Sequence, residues 1–294
     1  MSDSLLAALL AVGAALCIAV GTVVRQRAAA AVPDADSRML GPISSLVRNP
    51  TWWLGTAAGA AGYVLQAAAL ALGSLLLVQP MLVLSLLFAL PLSARFAGRR
   101  VGAREWWWAA TLTTSVAVLV VVGDPQPGEP RPELQHWIVL TLLGVPALAL
   151  CLFEAGRRTR PTRALLLGLA AGSLFGVAAV LTKSVVHLVL LGAREAVLSI
   201  DLYALIAVFA VATSVQQSAF HAGDLRTSLP ATTVVEPMVA ALLGFAVLGE
   251  YLDADRTHIA VLVGALAAMV AATIALARTA ADSDPAAVTA NEPP

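Results

Sequence analysis

Apolar residues fall into nine blocks along this chain, at residues 4–24, 52–72, 75–94, 106–122, 137–153, 164–191, 202–220, 229–248 and 259–277. A bilayer-spanning helix needs about 20 predominantly apolar residues, and the blocks match that length. Nine transmembrane helices are predicted. The fifth block is short and carries Pro146, and the sixth is long. Polar connections are brief apart from residues 28–51, where an interfacial helix is expected over 37–47.

Composition supports the same solvent. Of 294 residues, 59% are hydrophobic and 12% charged, against about 25% charged in a soluble domain. The expectation is an all-α polytopic membrane protein with one membrane domain. The first block is followed, not preceded, by Arg25 and Arg27, which marks a span and not a cleaved leader. With 18 basic and 18 acidic side chains the net charge is zero, and no nucleic-acid partner is indicated. Cys17 and Cys151 lie in apolar runs and read as packing residues. No His/Cys spacing suggests a metal site, and no cofactor is expected.

Charge sets the orientation. Arg25, Arg27, Arg38 and Arg48 fall in the first connection. Arg95, Arg99, Arg100 and Arg104 fall in the third, and Arg157, Arg158, Arg160 and Arg163 in the fifth. With Arg226 and Arg278 these make 14 basic residues on one side, against Arg131, Arg194 and Arg256 on the other. The positive-inside rule makes the richer side cytoplasmic, which places the N-terminus outside and the C-terminus inside. All six tryptophans sit at expected helix starts (Trp52, Trp53, Trp106, Trp107, Trp108 and Trp137), where an amphipathic ring anchors in the headgroup layer.

An internal repeat organises the helices. Gln66, Ala69, Gly73, Leu75 and Pro80 recur at an offset of 150 residues as Gln216, Ala219, Gly223, Leu225 and Pro230. Helices 1–4 (residues 1–123) correspond to helices 6–9 (residues 164–278). Residues 124–163, with helix 5, act as connector, and residues 279–294 form a disordered cytoplasmic tail. Four helices plus one turn the second copy upside down, and inverted repeats are a common architecture of secondary transporters.

Leu76-Leu77-Val78-Gln79-Pro80, followed by Leu84-Ser85, resembles the third-helix motif of the drug/metabolite transporter (DMT, EamA-containing) superfamily. Pro230 with the closing Leu248-Gly249-Glu250 resembles its Pro…Leu-Gly-Glu helix, and Trp52-Trp53-Leu54-Gly55 the second helix of the nine-helix, NIPA-like magnesium transporter branch. The resemblance implies an inverted 4+1+4 fold and solute transport. The first half departs from it by closing in Gly98-Arg99-Arg100 in place of Gly-Glu.

Polar residues inside apolar blocks are the candidates for a substrate or ion pathway. Glu236 lies mid-block, directly before Pro237. A carboxylate there must meet a partner or a cavity or take up a proton, which suggests a proton or cation site, with a structural ion pair or a helix-bend feature as the alternative. Lys183 lies late in the sixth helix and is expected to snorkel to the outer interface, with a pair to Glu236 or an anionic substrate left open. His187 and Gln26 are expected to be interfacial. Gln66, Gln79, Gln216 and Gln217 either line a pathway or bond between helices. Pro80 and Pro230, at matching repeat positions, each free a backbone carbonyl. Gly168, Gly172 and Gly176 have the spacing of close helix packing.

The expected function is secondary transport of a small metabolite or drug-like solute across the cytoplasmic membrane by alternating access. Partners are then that solute or ion and the bilayer; the residues do not specify an oligomeric state. Magnesium transport is the alternative, although Mg²⁺ favours several oxygen ligands and Glu236 is the clear intramembrane acid. Asp253 and Asp255 beside Glu250 could attract cations at the outer mouth, but read first as a solvated turn. A membrane enzyme would need an acid cluster or a nucleophile with its base. The pairs Asp34/Asp36 and Asp253/Asp255 lack such neighbours, so no enzyme is expected. A structural or assembly protein would not require equivalent prolines and amides in two halves.

Overall fold

The computed structural model describes residues 3–30, 49–96, 98–132, 134–222 and 225–282. The expected interfacial helix over 37–47 and the tail from residue 283 lie outside them. Helices dominate: α1 (Asp3–Ala30), α2 (Pro50–Leu72), α3 (Leu75–Val83), α4 (Ser85–Phe96), α5 (Ala103–Val121), α6 (Leu134–Arg157), α7 (Arg160–Leu191), α8 (Ala193–Leu198), α9 (Ile200–His221), α10 (Leu225–Val247) and α11 (Ile259–Asp282). The two short strands, β1 (Pro125–Gln126) and β2 (Tyr251–Leu252), pair antiparallel.

Among the described residues, eight helical segments are long and apolar enough to cross a membrane. The chain is therefore a multi-pass α-helical membrane protein. The fourth expected span coincides with α5 but stands outside those eight. Arg104, Glu105 and three tryptophans fill its first turns, and its apolar run is correspondingly short. Other limits shift for local reasons. Helix α7 begins at Arg160 because Thr159 takes the N-cap position and Pro161 the first turn, where a proline costs no hydrogen bond. Helix α6 runs past both expected limits and through Pro146. Helix α1 continues to Ala30, so Arg25 and Arg27 belong to its last turns and not to a loop. Helix α11 continues past the expected boundary at 278 to Asp282.

Pro80 and Pro230 act differently. The third span breaks at Leu84 into α3 and α4, one turn beyond Pro80, with Leu84 N–H bonding to Met81 O at 3.1 Å. Helix α10 stays continuous through both Pro230 and Pro237. At their far ends α4 and α10 stop alike, each followed by a glycine in the left-handed region: Gly98 at φ 67° and Gly249 at φ 66°. A side chain at either position would strain the backbone.

Glycine fixes the tightest helix contacts. A methyl on Gly172 of α7 would lie 2.9 Å from Thr232 O and 3.1 Å from Glu236 N, while Gly168 meets Ser228 and Gly176 meets Val239. The three glycines thus form one seam against α10, as their spacing suggested. Gly21 of α1 faces Gly55 and Gly59 of α2 in the same manner. Around these seams α3 packs on α1 and α10, α7 on α9, and α11 on α5 and α10. Leu70, Leu75, Val78, Val180, Leu243 and Leu248 form the core where α2, α3, α7 and α10 meet. Leu142, Leu143, Leu190 and Leu242 point outward, as lipid-facing residues do.

Candidate functional site

Four helices enclose a cavity of about 350 Å³. Helix α2 contributes Tyr63 and Gln66, α7 contributes Phe175 and Thr182, α9 contributes Phe209 and Gln216, and α10 contributes Glu236. Each placement follows from helical periodicity. Tyr63 and Gln66 are three residues apart and Phe209 and Gln216 seven apart, so each pair shares a face. The glycine seam draws α7 against α10 at Gly172 and thereby sets Glu236 beside α7. The aromatic rings form an edge-to-face series, with Tyr63–Phe209 centroids at 6.0 Å and Phe175–Phe209 centroids at 5.7 Å.

Glu236 makes none of the ion pairs or side-chain hydrogen bonds found among the described residues. It faces the cavity. Tyr63 lies within electrostatic reach of both Glu236 and Arg25. The Arg25 side chain runs along α2, with its guanidinium nitrogens 3.6 Å and 3.9 Å from the point where a methyl on Gly59 would sit. A carboxylate, a phenol and two amides can together accept from or donate to a polar solute, and the ring edges can hold its apolar part.

Of the expected pathway residues, Gln66, Gln216 and Glu236 converge here. Gln217, the neighbour of Gln216, falls on the exposed face of α9. Gln79 is 1% exposed inside α3, away from the cavity lining, and its Nε2 finds no hydrogen-bond partner among the described residues. Pro80 and Pro230 are buried in their helices and do not line the cavity.

Lys183 requires a correction. Its side chain does not snorkel: it is 6% exposed, and Nζ donates to Glu250 Oε1 at 2.5 Å. Glu250 is 1% exposed and accepts two more hydrogen bonds, from Leu75 N at 2.8 Å and Leu76 N at 3.0 Å. The carboxylate therefore caps the N-terminus of α3, where unpaired amides and the helix dipole both favour an anion. Local sequence builds this clasp. After α10, Gly249 turns the chain back, and Glu250 N bonds to Gly244 O at 3.0 Å. Gly244 leaves space for the carboxylate, since a methyl there would approach Glu250 Oε2 to 2.6 Å. Leu-Gly-Glu is thus a helix stop that returns an acid into the protein. The glycine stop directly before the acid is the sequence signal for the place of Glu250. Asp253 and Asp255 are exposed, as a solvated turn requires.

A second buried acid, Asp201 in the first turn of α9, lies beside the residue of α7 that follows Lys183. Asp201 accepts from Ser184 Oγ at 2.6 Å and from Arg131 Nε at 2.8 Å. His187 is half-buried and Gln26 exposed. The Arg99 side chain, at the departure from the Gly-Glu pattern, pairs at 2.8 Å with Glu105 in the first turn of α5. Cys17 and Cys151 are free and partly buried.

These helices, with polar groups gathered between them and apolar side chains facing out, define a multi-pass membrane protein with an intramembrane polar cavity. The chain belongs to the same family as the uncharacterized protein Cgl0250/cg0304 of Corynebacterium glutamicum, to which it is 44% identical over 281 residues, covering 95% of this chain and 97% of that one. No protein-family profile matches the chain. No solved structure matches it either.

Proposed function

We propose that this protein is a secondary transporter of the DMT superfamily that moves a small organic solute across the cytoplasmic membrane by alternating access. In this reading α5 is a ninth span, the two four-helix halves are inverted copies, and the N-terminus lies outside with the C-terminus in the cytoplasm. The solute occupies the cavity between α2, α7, α9 and α10. The observation that carries the reading is that Gln66 and Gln216, at equivalent positions of the two halves, meet across one cavity beside the unpaired Glu236. Transporter sites lie near the midplane at the interface between repeats. The matching glycine stops at Gly98 and Gly249 further support two related halves.

The donor set favours an organic solute over the magnesium alternative. Mg²⁺ retains several waters and takes carboxylate oxygens at strict octahedral geometry. The cavity offers it one carboxylate between three aromatic rings. The test is reconstitution into liposomes with an internal pH indicator, challenged with cationic, zwitterionic and neutral organic solutes, and separately with Mg²⁺ and its own indicator. Saturable solute-dependent flux that Glu236→Gln abolishes while the protein stays folded supports the proposal. Mg²⁺ entry without organic flux transfers the site to the ion. Silence in both assays refutes proton-coupled transport of these solutes and Mg²⁺ transport alike.

A further inference from the structure

A second cavity, of about 480 Å³, opens as a groove between α6 and α9. Its walls present Trp137, Leu140, Gly144 and Leu148 from α6 and Ala204 and Val208 from α9, and its floor comes from apolar side chains of α7 and α10. In hydrocarbon such a groove does not stay empty, because its lining would lose dispersion contacts. Water is a poor occupant where polar partners are few.

Dimensions narrow the choice. The α6 wall from Trp137 to Leu148 is about 16 Å long at 1.5 Å per residue. The volume over that length gives a mean cross-section of about 30 Å² along the groove. A single methylene chain fits along it.

Polarity gives the occupant a direction. Asp201 is the one charged residue lining the groove, and it lies at the same end as Trp137. It is held by Ser184 and Arg131, and the Arg131 side chain is 46% exposed, so the guanidinium turns its outer edge to the surface. An arginine bonded to the acid at the tryptophan end of an apolar groove suits a headgroup of net negative charge. We propose that the α6–α9 groove binds a phospholipid, with one acyl chain between the helices and an anionic headgroup on Arg131.

The test is native mass spectrometry of purified, delipidated protein, titrated with phosphatidylglycerol and with phosphatidylcholine of identical chains. One phosphatidylglycerol is expected to be retained at about tenfold lower concentration than phosphatidylcholine. Gly144→Phe places a ring in the groove, with room to enter because a methyl there meets only Leu140, at 3.9 Å. It is expected to lower retention about tenfold. Leu143→Phe, on the 70% exposed outer face, should change nothing. If Gly144→Phe does not fold, Ala204→Leu on the opposite wall serves the same purpose. Full retention by the groove-filling variant overturns the site, and equal affinity for the two lipids overturns the headgroup assignment. A dimer that the variant dissociates overturns the lipid in favour of a second copy.

Discussion

Lys183→Met tests the clasp most directly. The substitution keeps the apolar stem and removes the ammonium, leaving the Glu250 carboxylate 1% exposed with only the Leu75 and Leu76 amides. Removing one partner of a buried ion pair costs about 3–5 kcal/mol, because the other charge stays buried and uncompensated. The two remaining amide donors place this case near the lower end, at about 3 kcal/mol. For a chain of this size that corresponds to a fall of about 6–12 °C in unfolding temperature. The assay is helix loss followed by circular dichroism in detergent at one fixed scan rate, since membrane-protein unfolding is commonly irreversible. Glu250→Gln should cost a similar amount, as its amide nitrogen opposes one of the two backbone donors. The double variant Lys183→Met/Glu250→Gln should then fall well short of the sum, with about 2 kcal/mol of coupling. A Lys183→Met protein that unfolds within about 1 °C of wild type, or single costs that add, would refute the buried-pair argument.

Further consequences follow from the same geometry. Gly249→Ala and Gly98→Ala should each cost about 1–2 kcal/mol, and by similar amounts, because at both positions a methyl meets nothing within 4 Å and only the left-handed backbone is strained; thermal unfolding of the pair checks this. Gly172→Val should prevent α7 from seating on α10, since even its first carbon would sit 2.9 Å from Thr232 O, and loss of folded yield in detergent gel filtration is the readout. Ser184→Ala removes a short bond to a buried carboxylate and should cost about 1.5–3 kcal/mol by the same unfolding assay. Glu236→Gln, by contrast, should leave the unfolding temperature near that of wild type, because the side chain has no bonded partner to lose.

The periodicity of apolar blocks carried most of the fold, because helix length in a bilayer is set by the hydrocarbon thickness and so is legible from composition alone. Helix ends were less legible. Thr159 with Pro161, and the continuation of α1 past Arg25, depend on capping and on what packs alongside. The cavity was half legible. Gln66, Gln216 and Glu236 are conspicuous in apolar sequence, whereas Tyr63, Phe175 and Phe209 resemble ordinary lipid-facing aromatics until four helices are assembled. Gln79 and Gln217 show the limit of the same rule, since a polar residue in an apolar block can face the core, the cavity or the outside, and spacing within one helix does not choose.

Lys183 and Glu250 show why the remainder was hidden. A lysine near a helix end in isolation can lift its ammonium to the interface, and an acid after a helix stop reads as solvent-exposed. Both inferences fail here for one reason: the N-terminus of α3, 175 residues from Glu250 in sequence, brings two unpaired amides to the same point. Glu250 therefore has three donors and ties the start of α3 and the side of α7 to the end of α10. Glu236, on the preceding helix, makes no hydrogen bond or ion pair among the described residues and faces the cavity beside two amides and a phenol. Residue type does not distinguish the two glutamates, and their sequence settings point the opposite way, with Glu236 inside an apolar block and Glu250 beyond the end of it. Donor count separates them: the satisfied carboxylate is part of the scaffold, and the unsatisfied one faces the cavity.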